Sequence, residues 1–281
     1  MDTQEARRVY DSPNQGVLWG WEVPAYVWTK AIATGTFLMM AVWHFFNGGL
    51  ESSSEMAGLI TTLVFMGLTG GLLVKDIDRP DRFLYVLLRP QWKSWLVRGA
   101  YIITSFGGFV SLKLLDNYLQ LGLDWLWIPG LVLAGLGAVY TAFLFNQARA
   151  RDLWQTPIQS AIHMLVHAIM AGSVVMMIIA PESSQWMANI LLWGIVANVV
   201  IMAKEILLPH DTPDTKKAIH LMTKGYYSKY FWVGIVMGSL IPIVVLNAFS
   251  SMSLIAGGLA LVGIYLTEFV RIRVPQMIPL S

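Results

Sequence analysis

The sequence predicts an all-α polytopic membrane protein with eight transmembrane helices. Three observations predict it. Hydrophobic residues make up 56% of the 281 and charged residues only 13%, about half the charge of a soluble domain, and the mean hydropathy is +0.59. Eight apolar runs reach the ~18 residues that a bilayer crossing needs. The basic residues between those runs fall almost entirely on alternate loops. This composition excludes a disordered chain, a basic nucleic-acid binder and an ordinary soluble enzyme. With no cysteine, the chain itself forms no disulfide and holds no thiolate-ligated zinc or iron–sulfur cluster.

In order, the runs cover residues 24–46, 57–75, 95–115, 125–147, 157–180, 185–208, 229–249 and 251–271. The first is too long and too rich in tryptophan for a cleaved signal peptide, and no small-residue cleavage site follows it. Pro24 suits the start of its helix. The second run carries Gly67 and Gly71 in the spacing that lets helices approach closely, and Gly135, Gly137 and Gly172 offer the same in the fourth and fifth. The seventh contains Pro242, its one obvious break. Loops are short except 76–94 and 209–228, so there is no room for a separate catalytic domain. Residues 84–88 read as an interfacial amphipathic segment.

Eight spans put both termini on one side. All but two of the 19 lysines and arginines belong to that side, among them Arg7, Arg8, Arg89, Arg98, Lys204, Lys216, Lys217, Arg271 and Arg273. The opposite side has only Lys113, against Glu51, Glu55, Asp116, Asp124 and Glu182, and Lys30 lies within a span. The positive-inside rule therefore places both termini in the cytoplasm. Trp19, Trp21, Trp28, Trp92, Trp95, Trp125, Trp127, Trp154, Trp186 and Trp232 fall near span ends and read as an aromatic interface belt.

Ionisable groups inside spans are costly, so each is a functional candidate. Lys30 lies about two turns into the first span. Glu22, Tyr26 and Lys30 are spaced i, i+4, i+8 and share one helix face, running inward as acid, phenol, amine. Either that face lines a polar cavity, or Lys30 snorkels to the surface. His163 and His167 are i, i+4 on the fifth span, a spacing that suits a metal, a proton relay or interhelical hydrogen bonds. They do not make a bis-histidine haem, which needs ligands from opposite faces. His44 is on the far side, and His210 and His220 are in a loop. Tyr140, Asn146, Asn189, Asn198, Lys204, Glu205 and Glu268 complete the inventory, with snorkelling or pairing to loop arginines sufficient for Lys204, Glu205 and Glu268. Arg98 lies about a turn into the third span and faces either water or a buried acid.

The run Asp78-Arg-Pro-Asp-Arg-Phe, then Leu88-Arg-Pro, then Ser94-Trp-Leu-Val-Arg-Gly-Ala resembles the loop and third-span start of the polysulfide reductase membrane-subunit family, the NrfD family. The opening Trp19-Gly-Trp-Glu-Val-Pro-Ala-Tyr-Val-Trp-Thr-Lys-Ala-Ile-Ala-Thr-Gly resembles its first span. Motif detail covers about the first 110 residues, and the remainder matches in span count. The resemblance implies two four-helix bundles, residues 1–150 with a quinone site and residues 151–281. It implies a multi-pass subunit of the prokaryotic cytoplasmic membrane that binds a quinone, menaquinone or ubiquinone, and carries no haem or iron–sulfur cluster itself. The partner it implies is a ferredoxin-like iron–sulfur subunit, joined to a molybdopterin or multihaem catalytic subunit, with no nucleic acid involved.

Carried over residue by residue, the pocket at the start of span one is Trp21, Glu22, Tyr26 and Lys30, some members having histidine where this chain has Tyr26. Tyr140 is the candidate for a pocket tyrosine of span four, and Arg98 matches the Ser-Trp-x-x-Arg-Gly pattern. The expected roles are catalytic for Glu22, Tyr26 and Lys30, and quinone-binding for Trp21, Arg98 and Tyr140, with Arg98 holding Glu22. His163, His167 and Glu205 are the expected proton path, and no metal is assigned. The expected activity is that of a quinone-linked oxidoreductase subunit, inactive alone. Two rivals stand beside it: a secondary transporter with Lys30 as counter-charge, and a membrane anchor without quinone.

Overall fold

The computed structural model of the chain describes residues 19–76, 83–147, 153–154, 156–208 and 212–278. Among these, eight segments are long and apolar enough to cross a membrane. They are α1 (Glu22–Asn47), α2 (Ser52–Asp76), α4 (Trp95–Leu119), α5 (Trp127–Asn146), α6 (Pro157–Ile179), α7 (Ser184–Leu207), the pair α9 (Ser228–Ile235) and α10 (Ile241–Ala248), and α11 (Ser253–Arg273). Two short helices lie between spans: α3 (Phe83–Leu88), where the interfacial segment was expected, and α8 (Pro213–Thr223). Tyr101 of α4 ties α3 down by donating from its hydroxyl to Leu87 O at 2.7 Å. Asp78-Arg-Pro-Asp-Arg of the family motif lies outside the described residues, as do Arg7, Arg8 and His210.

The central element is α1. It packs against α2, α5, α6 and α11, and its buried middle is built of small residues, Ala31, Ala33, Thr34, Gly35 and Thr36. Outer helices instead expose large apolar side chains at helical spacing, such as Ile60, Val64 and Leu68 on α2 and Ile128, Val132 and Leu136 on α5. In a bilayer these stripes face lipid, where apolar surface costs nothing.

The close helix contacts are not at Gly67 and Gly71, where the GxxxG spacing placed them, but Gly172, another expected approach point, is among them. A Cβ added at Gly67, Gly71 or Gly135 would meet nothing, whereas one at Gly35 would overlap Ala168 O and one at Gly172 would overlap Gly35 O. The tight crossing is therefore α1 on α6, backbone against backbone. A second one joins Gly238 to Gly263 of α11. A small-residue pattern permits approach, but the packing of the whole bundle decides which pattern is used. Gly172→Ala is expected to force α1 and α6 apart and destabilise the protein by ~1–3 kcal/mol. Gly67→Ala, with open space, is expected to be neutral or to stabilise by about 0.5–1 kcal/mol. Thermal unfolding in detergent measures both.

Other departures have equally local causes. Trp127 and Trp154 belong to the core and not to an interface belt, each only 1% exposed. Trp127 stacks on His44 and packs tilted against Phe37, and Trp154 packs tilted against Trp19 and Phe145. The seventh span passes through a π-helical stretch, Val236–Leu240, just before Pro242, a common accommodation where the ordinary hydrogen-bond ladder is interrupted. Helices α2 and α4 extend beyond the apolar runs because their polar ends are internally paired. Lys113 lies 2.7 Å from Asp116, 3.4 Å from Glu55 and 3.9 Å from Asp124.

Candidate functional site

The first-span face runs inward as the spacing requires. Glu22 is paired to Lys75 of α2 at 3.2 Å, and that ammonium sits 4.3 Å over the Trp21 ring. One turn deeper, Tyr26 is buried among Val23, Val27, Ala142 and Phe145. Deeper still, Lys30 is 1% exposed. It does not snorkel: its Nζ turns inward and donates to Ala138 O at 2.9 Å and to Thr141 Oγ1 at 2.5 Å, both on α5. The Tyr140 ring lies between these two positions in the chain, 4.6 Å from Nζ. An ionisable amine held only by neutral oxygens inside a span is costly, which separates Lys30 from the hydroxyl and amide groups around it.

Local sequence explains the placement of Tyr140. A Cβ at Gly99 of α4 would overlap its ring, so the glycine of Ser94-Trp-Leu-Val-Arg-Gly-Ala makes the space that the tyrosine fills. The arginine of that motif does not join the cluster as expected. Arg98 is exposed; its Nε donates to Trp92 O at 2.6 Å and its guanidinium lies 4.9 Å from the Trp95 ring. Lys75, not Arg98, holds Glu22. The reason is register, because Gly99 must face α5 and its neighbour then points outward.

A second buried cluster joins α6, α7 and α11. His163 and His167 lie on one face of α6, and their Nε2 atoms both bond Asn198 Oδ1, at 2.7 and 3.0 Å. His167 Nδ1 lies 3.2 Å from Glu268 Oε1. Arg271 bridges the two acids, 3.0 Å from Glu268 and 3.1 Å from Glu205. Glu205 thus reaches the histidines through Arg271 and Glu268. The charge inventory places Arg271 at the cytoplasmic surface, but it is buried and paired within the protein. Its i, i+3 spacing to Glu268 was the available signal, since such residues are neighbours on a helix. Nothing in the spacing points to Glu205, 66 residues away.

His163, His167 and Glu268 also present ligand atoms within 4.8 Å of one another. A cation there would compete with Arg271, which already holds the Glu268 oxygen nearest His167. The arrangement suits the holding and passing of protons. Between the two clusters lies a cavity of about 10 Å³, bounded by Lys30 and His167 with Val27, Ala138, Met164 and Ile264.

A search of curated protein sequences finds no match. A family model described as "Polysulphide reductase, NrfD" matches residues 11–279, far beyond the first 110 residues or so that carry recognisable motifs. Eight membrane-spanning segments, no cysteine and a match over nearly the whole length lead to one assignment: the chain belongs to the NrfD polysulphide reductase family, as a multi-pass membrane subunit.

Proposed function

We propose that this chain is the quinone-reactive subunit of a respiratory oxidoreductase complex, exchanging electrons between the quinone pool and an iron–sulfur partner. The observation that supports this most is Lys30, a buried amine whose hydrogen-bond partners are neutral and whose Nζ lies over the Tyr140 ring. A quinone supplies two-electron, two-proton chemistry at its oxygens. Lys30, with Tyr140 and Tyr26 beside it, matches that donor set: a preorganised cation stabilises the negative charge that develops as electrons arrive. The described cavity at Lys30 has room for a water but not for a ring, so Lys30 meets a headgroup when a neighbouring side chain yields. Tyr140 is that neighbour, seated against Gly99 and under the Lys30 Nζ.

Glu22, partly exposed and paired with Lys75, exchanges protons with water at the surface. His163, His167 and Glu205, joined by Asn198, Glu268 and Arg271, form a proton path in the half that follows residue 150. The partner docks on the N-terminal side, where loop 76–94 and α4 present Tyr85, Trp92 and Arg98. Charge bias puts that side in the cytoplasm. The division into bundles of residues 1–150 and 151–281 belongs to this proposal, with α1 as the helix that touches both.

Purification of the tagged chain in mild detergent, with mass spectrometry for partners and solvent extraction for quinone, tests the proposal. An iron–sulfur subunit with bound quinone is the expected result. A partner without quinone would leave an anchor, and a chain that transports a solute alone would be a transporter.

A further inference from the structure

We propose that the groove between α8 and the segment just after α11 is a site for an anionic membrane phospholipid, whose phosphate is held by Lys216 and His220. This goes beyond the quinone reading and does not depend on it.

Two elements form the groove. Lys216, Lys217, His220 and Leu221 of α8 make one wall, and Met277 and Ile278 make the other. It holds about 450 Å³, within the ~300–1,000 Å³ of small-ligand sites. Its two-sided character follows from α8, which is amphipathic. Thr215, Ala218, Ile219 and Met222 are buried. Lys216, His220 and Lys224, spaced i, i+4, i+8, share the exposed face. The groove is therefore basic on the α8 side and apolar at Leu221 and along the opposite wall, the polarity of a phosphate joined to hydrocarbon.

Its height in the membrane is set by the neighbouring span. Trp232 of α9 donates from Nε1 to Thr223 O, the last residue of α8, at 3.0 Å. Tyr226, Tyr230 and Trp232 are exposed around this joint. Exposed tyrosine and tryptophan at the start of a span mark the headgroup level. The bond to Trp232 thus ties α8 to the layer where lipid phosphates lie.

Charge selects an anion. Between Thr212 and Ile278 the acids are Asp214 and Glu268 alone. Asp214 pairs with Lys217 at 3.1 Å, and Glu268 is buried against Arg271. Neither Lys216 nor His220 has an acidic partner among the described residues. An ammonium has three protons to donate, and even a neutral imidazole has one, so both can bond a phosphodiester oxygen. Basic pockets beside membrane helices hold anionic headgroups in this way. A zwitterionic lipid brings an amine that opposes the same two residues. An acidic segment of a partner protein matches the charge but not the apolar wall.

The bound lipid would also brace α1. Gln276, beside Met277, accepts from Trp19 N at 2.8 Å through Oε1 and donates to Trp19 O at 3.2 Å through Nε2. A lipid seated against Met277 supports the segment that holds the chain as it enters α1, so occupancy should be read in the stability of the whole protein.

The test is thermal unfolding of the lipid-depleted complex in detergent, titrated with phosphatidylglycerol, with phosphatidylcholine of the same chains, or with inorganic phosphate. Phosphatidylglycerol is expected to raise the unfolding temperature as a ligand of the folded state does, and the other two are not. Lys216→Gln combined with His220→Gln, both at exposed positions, is expected to weaken the apparent affinity for phosphatidylglycerol by at least about fivefold, the effect of one basic residue at an anionic lipid surface. Lys93→Gln removes an exposed charge beside α4, on the same membrane face, and is expected to leave that affinity unchanged. Equal protection by the two lipids, or an equal loss in Lys93→Gln, overturns the site. Protection by inorganic phosphate would assign the groove to a soluble anion and overturn the lipid. Acidic side chains of a partner subunit filling the groove, seen by electron microscopy of the complex, would overturn it as well.

Discussion

Lys30→Met is expected to leave the complex assembled and to lower quinol-linked turnover by about 10²-fold or more, the usual contribution of a positioned acid or base. Methionine matches the length and volume of the lysine stem, so packing among Val27, Ala138 and Met164 survives. What is lost is the ammonium that bonds Ala138 O and Thr141 Oγ1. Replacing a buried ion with an apolar residue of similar size is commonly neutral or stabilising. Stability and function should therefore part company: thermal unfolding holds or rises while turnover collapses. A purely structural lysine would show the opposite pair, normal turnover in a weakened protein, and that result would remove Lys30 from the site. Lys30→Arg is not expected to rescue, because a planar guanidinium cannot place one nitrogen where Nζ makes both short bonds.

How far the sequence reaches differs from residue to residue, for physical reasons. The spans are legible because a bilayer imposes length and apolarity on each one separately. Lys30 is legible because an amine inside an apolar run stands out, and Glu22 and Tyr26 because helical periodicity puts them on its face. Its neighbours Ala138 and Thr141 are not legible, since the register of α1 against α5 is written in neither helix alone. Tyr140 came from family resemblance, and the structure gives its physical reason in Gly99. Arg98 misled because a motif conveys which residue is present and not which way it points. Arg271 misled because a charge near a span end is counted as surface unless its partners are known, and one of them lies 66 residues away. Trp127 and Gly67 make the same point for belts and small-residue patterns: each feature has a common use that tertiary packing overrides.

Arg271→Met should give the largest loss of stability of any single change in the second cluster. The guanidinium is 3% exposed and stands between two buried carboxylates, Glu205 and Glu268. Without it both acids face each other with no cation between them. Breaking a buried ion pair from one side costs about 3–5 kcal/mol, because the penalty is that of the charges left behind. The same reasoning predicts rescue. Adding Glu205→Gln and Glu268→Gln to Arg271→Met removes every stranded charge, and the triple variant should recover most of the lost stability, a strong non-additivity of the kind expected for groups in one network. Thermal unfolding of the four single and combined variants measures it. Were Arg271→Met alone as stable as the unmodified protein, the triad would not be ionised. Turnover supplies the decisive contrast. The triple variant, folded but without the two carboxylates of the proposed proton path, should stay slow. A network kept only for stability would become dispensable once its charges were gone; one kept to move protons would not.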